Sequence, residues 1–166
     1  SSKLAEASLI LIRFLAQYVK KYNKNIVIQS KSQSFNYAEK FFYDELFVDT
    51  NYKISWLDNT VNFNSYKNIS SSNLVIGAPS TLLREASVYP NTKILCFDIE
   101  KKVGKLPFMG LNNFYETSYE KFEEKLNFLL KLNYSDYIKN LDKPHDYLMH
   151  KIDTIDCFLE FLEKQP

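Results

Sequence analysis

Two spacings of apolar residues alternate along the chain. From Lys3 to Lys21, Leu4, Ala7, Leu11, Phe14, Leu15 and Tyr18 recur at three- and four-residue steps, which predicts an amphipathic helix ended by Asn23 to Asn25. Ile26-Val27-Ile28 is a β-branched run too brief for a helix, and polar residues from Gln29 to Ser34 follow it directly. That pattern predicts a buried strand opening into a loop. Phe35 to Leu46 reads as the crossover helix. Tyr52 to Leu57 reads as a second strand ending at Asp58-Asn59-Thr60, and Phe63 to Ser70 as a short helix.

The alternation continues beyond. Asn73 to Ile76 is a third apolar strand, Gly77-Ala78-Pro79 a break, and Ser80 to Tyr89 a helix with Ser80 at its start. After the Pro90-Asn91 turn comes a fourth strand from Thr92 to Asp98, then a loop from Lys101 to Gly110. Phe122, Leu126, Leu129 and Leu130 give Ser118 to Leu132 one apolar face, and beyond the Asp142 to Pro144 break Thr154 to Lys164 is a last amphipathic helix. Short apolar strands alternating with helices predict an α/β fold: a Rossmann-like parallel sheet flanked by helices, with a C-terminal helical tail. Ligands of such sheets sit at the carboxyl ends of strands. This directs attention to Gln29 to Ser34, Asp58 to Thr60, Gly77 to Thr81 and Asp98 to Gly104.

Composition narrows the reading. At 166 residues, 45% hydrophobic and 25% charged, the chain can close one core and is too short for two ordinary domains, so residues 1–166 are expected to form a single domain. A net charge of +1 argues against a nucleic-acid partner but leaves room for a small anion bound by local backbone geometry. Cys96 and Cys157 fit no metal or redox spacing and read as reduced core thiols of a cytoplasmic protein. His145 and His150, near Asp142, Asp146 and Asp153, match no ligand motif, so no metal is expected. Ser8 to Leu15 is too short to span a bilayer, and no cleavage-site pattern follows it. The start at Ser1 without Met is what a segment of a longer protein would show.

The most informative stretch runs from Leu74 to Ala86: strand, glycine-containing turn, helix start. A helix start offers unpaired N–H groups, Ser80 and Thr81 add hydroxyl donors, and Gly77 permits close approach, so a phosphate would be well received. Glu85, further into the helix, could accept hydrogen bonds from a ribose diol. Ordinary capping explains the same residues, since Ser or Thr is the common N-cap choice and Glu in the first turns suits the dipole. Asp58 closes the second strand, where it would touch base or ribose or simply mark a turn. No P-loop or G-x-G-x-x-G motif is present.

The turn with Gly77, Pro79, Ser80 and Thr81, followed by Glu85 and Ala86, resembles the donor-nucleotide motif in the C-terminal domain of GT-B glycosyltransferases, particularly bacterial enzymes of capsule and lipopolysaccharide synthesis. Phe114 to Phe122 and Asp146 to Met149 are similar to the tail of surface-carbohydrate transferases. The resemblance implies a nucleotide-sugar as substrate, bound by Lys31, Asp58, Gly77, Pro79, Ser80, Thr81 and Glu85 without a cofactor or metal. Lys31 would meet the donor phosphates. The sequence there, Gln29-Ser30-Lys31-Ser32, departs from the His-Pro pair usual in the family. The resemblance further implies an N-terminal acceptor domain outside this chain that carries the catalytic base, so this fragment alone would be inactive. It also implies peripheral association of the full-length protein with the inner face of the bacterial membrane. The alternative is a non-catalytic, flavodoxin-like regulatory or protein-interaction domain. A receiver domain of that kind needs acidic residues after its first strand, and Gln29-Ser30-Lys31 supplies none.

Overall fold

The computed structural model describes residues 2–32, 34–56, 64–101 and 108–142. Helix α1 spans Ser2–Tyr22 and strand β1 Asn25–Gln29; α2 (Tyr37–Leu46) leads to β2 (Asn51–Ser55), α3 (Asn64–Ser70) to β3 (Leu74–Gly77), and α4 (Thr81–Ala86) to β4 (Lys93–Phe97). A 3₁₀ turn at Gly110–Asn112 then enters the two-residue strand β5 (Asn113–Phe114), followed by α5 (Tyr119–Lys131) and α6 (Tyr134–Lys139). The chain is therefore α/β, as the alternation predicted. The helix expected over Thr154 to Lys164 lies outside the described residues, as do Asp58, Cys157 and both histidines.

Among the described residues every ladder is parallel, and the strands fall in two sheets, β1 with β2 and β3-β4-β5. Read along their ladders, these pairs are those of a doubly wound sheet of order 2-1-3-4-5, with no β1–β3 ladder among the described residues. One core nevertheless serves both sheets. Ile28 of β1 shares a cluster with Leu95 and Phe97 of β4, with Leu15, Ala16, Tyr18 and Val19 of α1, and with Phe122, Leu126 and Leu129 of α5.

Strand β4 separates two apolar layers, because successive side chains on a strand point to opposite faces. Leu95 and Phe97 face the α1–α5 core, whereas Ile94 and Cys96 face a second cluster with Ile69, Leu83, Ala86 and Phe108. Burial on both faces explains why the strand reads as continuously apolar. Its exception, Lys93, is buried with its ammonium donating to Leu129 O and Leu132 O, each at 2.7 Å, and so caps the C-terminus of α5. Burial lowers its pKa.

Helix α6 was not foreseen, and Tyr137 explains its place. The tyrosine is fully buried; its hydroxyl donates to Asn112 Oδ1 (2.6 Å) and accepts from Ile94 N (3.1 Å). Ile94 precedes the first β4–β5 pair, Cys96 with Asn113, so the phenol supplies the partner that the short strand β5 does not reach. Asn36, Ser80, Ser118 and Asn133 cap α2, α4, α5 and α6 through their side-chain oxygens. Asn23 and Asn91 take positive φ (47° and 64°) at the two turns that the sequence marked.

Candidate functional site

The carboxyl ends of β3, β4 and β5 meet on one face. Gly77 pairs with Cys96 and Cys96 with Asn113, and Asp98 stands two residues beyond Cys96 on the same side of the strand. Asp98 N donates to Phe114 O at 2.7 Å, so the aspartate is fixed where the ladder ends. Its side chain is only 3% exposed, yet Oδ2 has no hydrogen-bond partner among the described residues, and neither has the buried Asn113 Oδ1. On the adjoining strand β3, nothing described lies within 4 Å of where a Cβ would stand on Gly77. Buried polar atoms are nearly always paired, because leaving an acceptor dry and alone costs about 1–3 kcal/mol and more for a charge. Two unpaired buried acceptors at neighbouring strand ends form a set that can receive hydroxyl donors. Cys96 is no nucleophile here: burial, with the Asp98 charge as a lesser cause, pushes its thiol up to about 12.

The turn beyond Gly77 keeps part of its expected role. Ser80 is the N-cap of α4, and its hydroxyl accepts from Leu83 N at 3.2 Å, so the capping account holds for this residue. Helix α4 is shorter than the expected Ser80 to Tyr89. After Ala86 the chain tightens into i→i+3 bonds, Ser87 N to Arg84 O (3.0 Å), Val88 N to Glu85 O and Tyr89 N to Ala86 O (3.3 Å each). Six helical residues align few peptide dipoles, which weakens the electrostatic case for a phosphate at this end. Thr81 is exposed and Pro79 half-buried beside it. Glu85 accepts from Tyr66 Oη at 2.8 Å, and this bond is the first cause of the raised Tyr66 pKa. Tyr66 in turn stacks on Tyr89, so Glu85 is part of an aromatic bracket between α3 and α4.

Lys31 belongs to the other sheet, in the bend after β1, and is exposed. Its neighbours are pinned by α2: Ser30 Oγ and Ser32 Oγ each donate to Glu39 Oε2 at 2.9 Å. Asn68 Nδ2 donates to Gln29 Oε1 at 3.1 Å, tying α3 to the carboxyl end of β1. Gly77 to Glu85 thus form one group, Lys31 lies at the end of a different sheet, and Asp58 is outside the described residues. The sequence reading marked Asp98 to Gly104 only as a loop to inspect; a charged residue closing an otherwise apolar strand was the signal for Asp98. Asn113 had no such signal, because β5 is too short to announce itself. Among the described residues no group of three metal-ligating side chains is present. No described helix is long and apolar enough to cross a membrane.

Parallel strands joined by helical crossovers define an α/β protein, and in such folds the carboxyl ends of the strands are the edge where ligands bind. The model of a family described as "putative O-antigen biosynthesis protein" matches residues 2–105, more than half of the chain, which therefore belongs to that family. The match takes in α1 through β4, and with them Lys31, Gly77 to Glu85 and Asp98. No curated protein and no solved structure matches the chain.

Proposed function

We propose that the chain is the donor-binding part of a glycosyltransferase of O-antigen synthesis, and that it holds a nucleotide-sugar at the carboxyl ends of β3 and β4. The observation that carries this reading is the buried Asp98, whose Oδ2 has no partner among the described residues, at the end of β4 and one strand from the uncrowded Gly77. A carboxylate repels phosphate but accepts hydrogen bonds from a diol, so Asp98 takes the hydroxyls of the ribose or sugar and Asn113 Oδ1 assists. The phosphates then lie away from Asp98, toward Ser80 N–H, the Thr81 hydroxyl and, across the sheets, Lys31. As the nucleotide leaves it gains charge, and oriented donors at that position stabilise it. Pro79 shapes the turn, while Glu85 contributes one oxygen beyond its bond to Tyr66. The catalytic base, the acceptor site and any membrane association belong to a further domain of the full-length protein.

A second reading is a flavodoxin-like regulatory domain, which the parallel pairs β1–β2 and β3-β4-β5 also suit, but Gln29-Ser30-Lys31 lacks the acidic cluster of a receiver. The two readings separate in one titration. Amide resonances are followed while UDP-, GDP- and CMP-sugars are added; at least one donor is expected to shift Gly77 to Glu85 and Asp98, and silence from all of them sinks the proposal. Asp98→Asn is expected to weaken that donor at least tenfold, about 1.4 kcal/mol, without lowering the denaturation midpoint, since the native carboxylate oxygen has no described partner to lose.

A further inference from the structure

Away from the Asp98 edge, a hollow of about 230 Å³ lies between α2 and strand β2. Its apolar wall is aromatic. Phe35 and Trp56 have centroids 5.5 Å apart and planes 58° apart, so they form an open angle and not a closed stack. Tyr37 meets Phe35 edge-on at 4.7 Å and fixes the ring from outside. Phe35, in the loop just before α2, is nevertheless 49% exposed, an apolar surface left uncovered beside a helix with no buried residue. The opposite wall is polar: Lys40 Nζ lies 2.6 Å from Asp44 Oδ2, and Tyr52 Oη also donates to Asp44. Lys40 first and Tyr52 second hold the Asp44 carboxyl below its ordinary range, so it is a charged acceptor at neutral pH. Donor and acceptor therefore stand side by side, facing rings whose π faces carry negative charge.

This lining suits a molecule with a C–H face and a hydroxyl edge, which is the chemistry of a pyranose. Its C–H groups carry partial positive charge toward a ring face, and each hydroxyl can give a proton to Asp44 and take one from Lys40. Pockets for drug-sized ligands begin at roughly 300 Å³, so the hollow accommodates one ring and not the two of a nucleoside. Membership of an O-antigen biosynthesis family makes saccharides the compounds the protein meets. We propose that the Phe35–Trp56 hollow is a carbohydrate subsite, stacking a single pyranose on the two rings and holding its hydroxyls with the Lys40–Asp44 pair. It stands on geometry separate from the Asp98 edge and does not depend on the donor reading.

Trp56 is the chain's only tryptophan, so one indole N–H resonance reports on the hollow directly. The chain is titrated with methyl glycosides of glucose, galactose, mannose and N-acetylglucosamine, and separately with uridine and guanosine. At least one glycoside is expected to shift the indole saturably at millimolar concentration, with affinity falling tenfold or more in Phe35→Ala and in Lys40→Met. Both residues lie outside the core, so the variants stay folded. A resonance unmoved by every glycoside, one moved by the nucleosides alone, or undiminished binding in Phe35→Ala overturns the subsite. Asp98→Asn should leave the glycoside response intact. Loss of nucleotide-sugar shifts in wild type with the glycoside response retained would remove the donor reading alone.

Discussion

The β1–β2 sheet and the β3–β4–β5 sheet use the same local architecture for opposite ends. Strand β4 is buried along its whole length and α1, α4, α5 and α6 close around its sheet; β2 has two exposed residues in five, and the helix before it buries none. In the closed half, polar atoms are either satisfied with care, as at Tyr137 and Lys93, or conspicuously unsatisfied, as at Asp98. The open half buries Phe47 against Tyr52 but keeps Phe35, Tyr37, Phe41 and Phe42 at the surface. One half thus supplies stability and an anchored edge, and the other a surface that can be altered with little effect on folding.

The difference is sharpest in substitutions of like residues. Phe97→Ala, at the carboxyl end of β4, is expected to cost about 3–5 kcal/mol in denaturant unfolding, since Phe97 packs against Phe14, Phe114 and Phe122. Tyr137→Phe comes next, at about 1–3 kcal/mol, because Asn112 Oδ1 and Ile94 N lose their shared partner while the ring volume stays. At the other extreme Phe41→Ala, on the exposed α2, should change the midpoint by less than about 0.5 kcal/mol. A large effect there would show that α2 is covered in solution and would break the contrast.

Alkaline titration gives a finer comparison, with one reporter in each half. Burial raises the Cys96 thiol from 9.0 to about 12, and burial followed by the Asp44 bond raises Tyr52 from 10.0 to about 12. Both groups keep their protons in the folded state at pH values where the unfolded chain has lost them. Stability is therefore complete below about pH 9 and falls as pH rises toward 12. Lys93 acts in the opposite sense, because its lowered folded pKa returns stability as pH approaches 10.5. Cys96→Val should flatten the part of the loss that begins near pH 9, and Tyr52→Phe the part that begins near pH 10, each read from midpoints against pH.

The turn after β3 was legible because strand ends and turns are written in adjacent residues. Gly77-Ala78-Pro79-Ser80 announces strand, break and cap locally, and the cap formed as expected. The length of α4 was not legible: Ser87 to Tyr89 continue a helical pattern, but the chain closes with i→i+3 bonds before entering β4. Glu85 looked available from its helical position, whereas its occupation depends on Tyr66, nineteen residues away.

Apolar periodicity alone determined the α/β class, the order of the first four strands and the face of α5 that is buried, because both periods are local properties of the chain. Tertiary structure decided the rest. It split the ladders into two sheets, used α6 and its phenol to complete the edge of β4, and left Asp98 Oδ2 buried without a partner among the described residues. Those outcomes depend on which polar atoms find partners across long sequence separations, and no local pattern encodes that pairing.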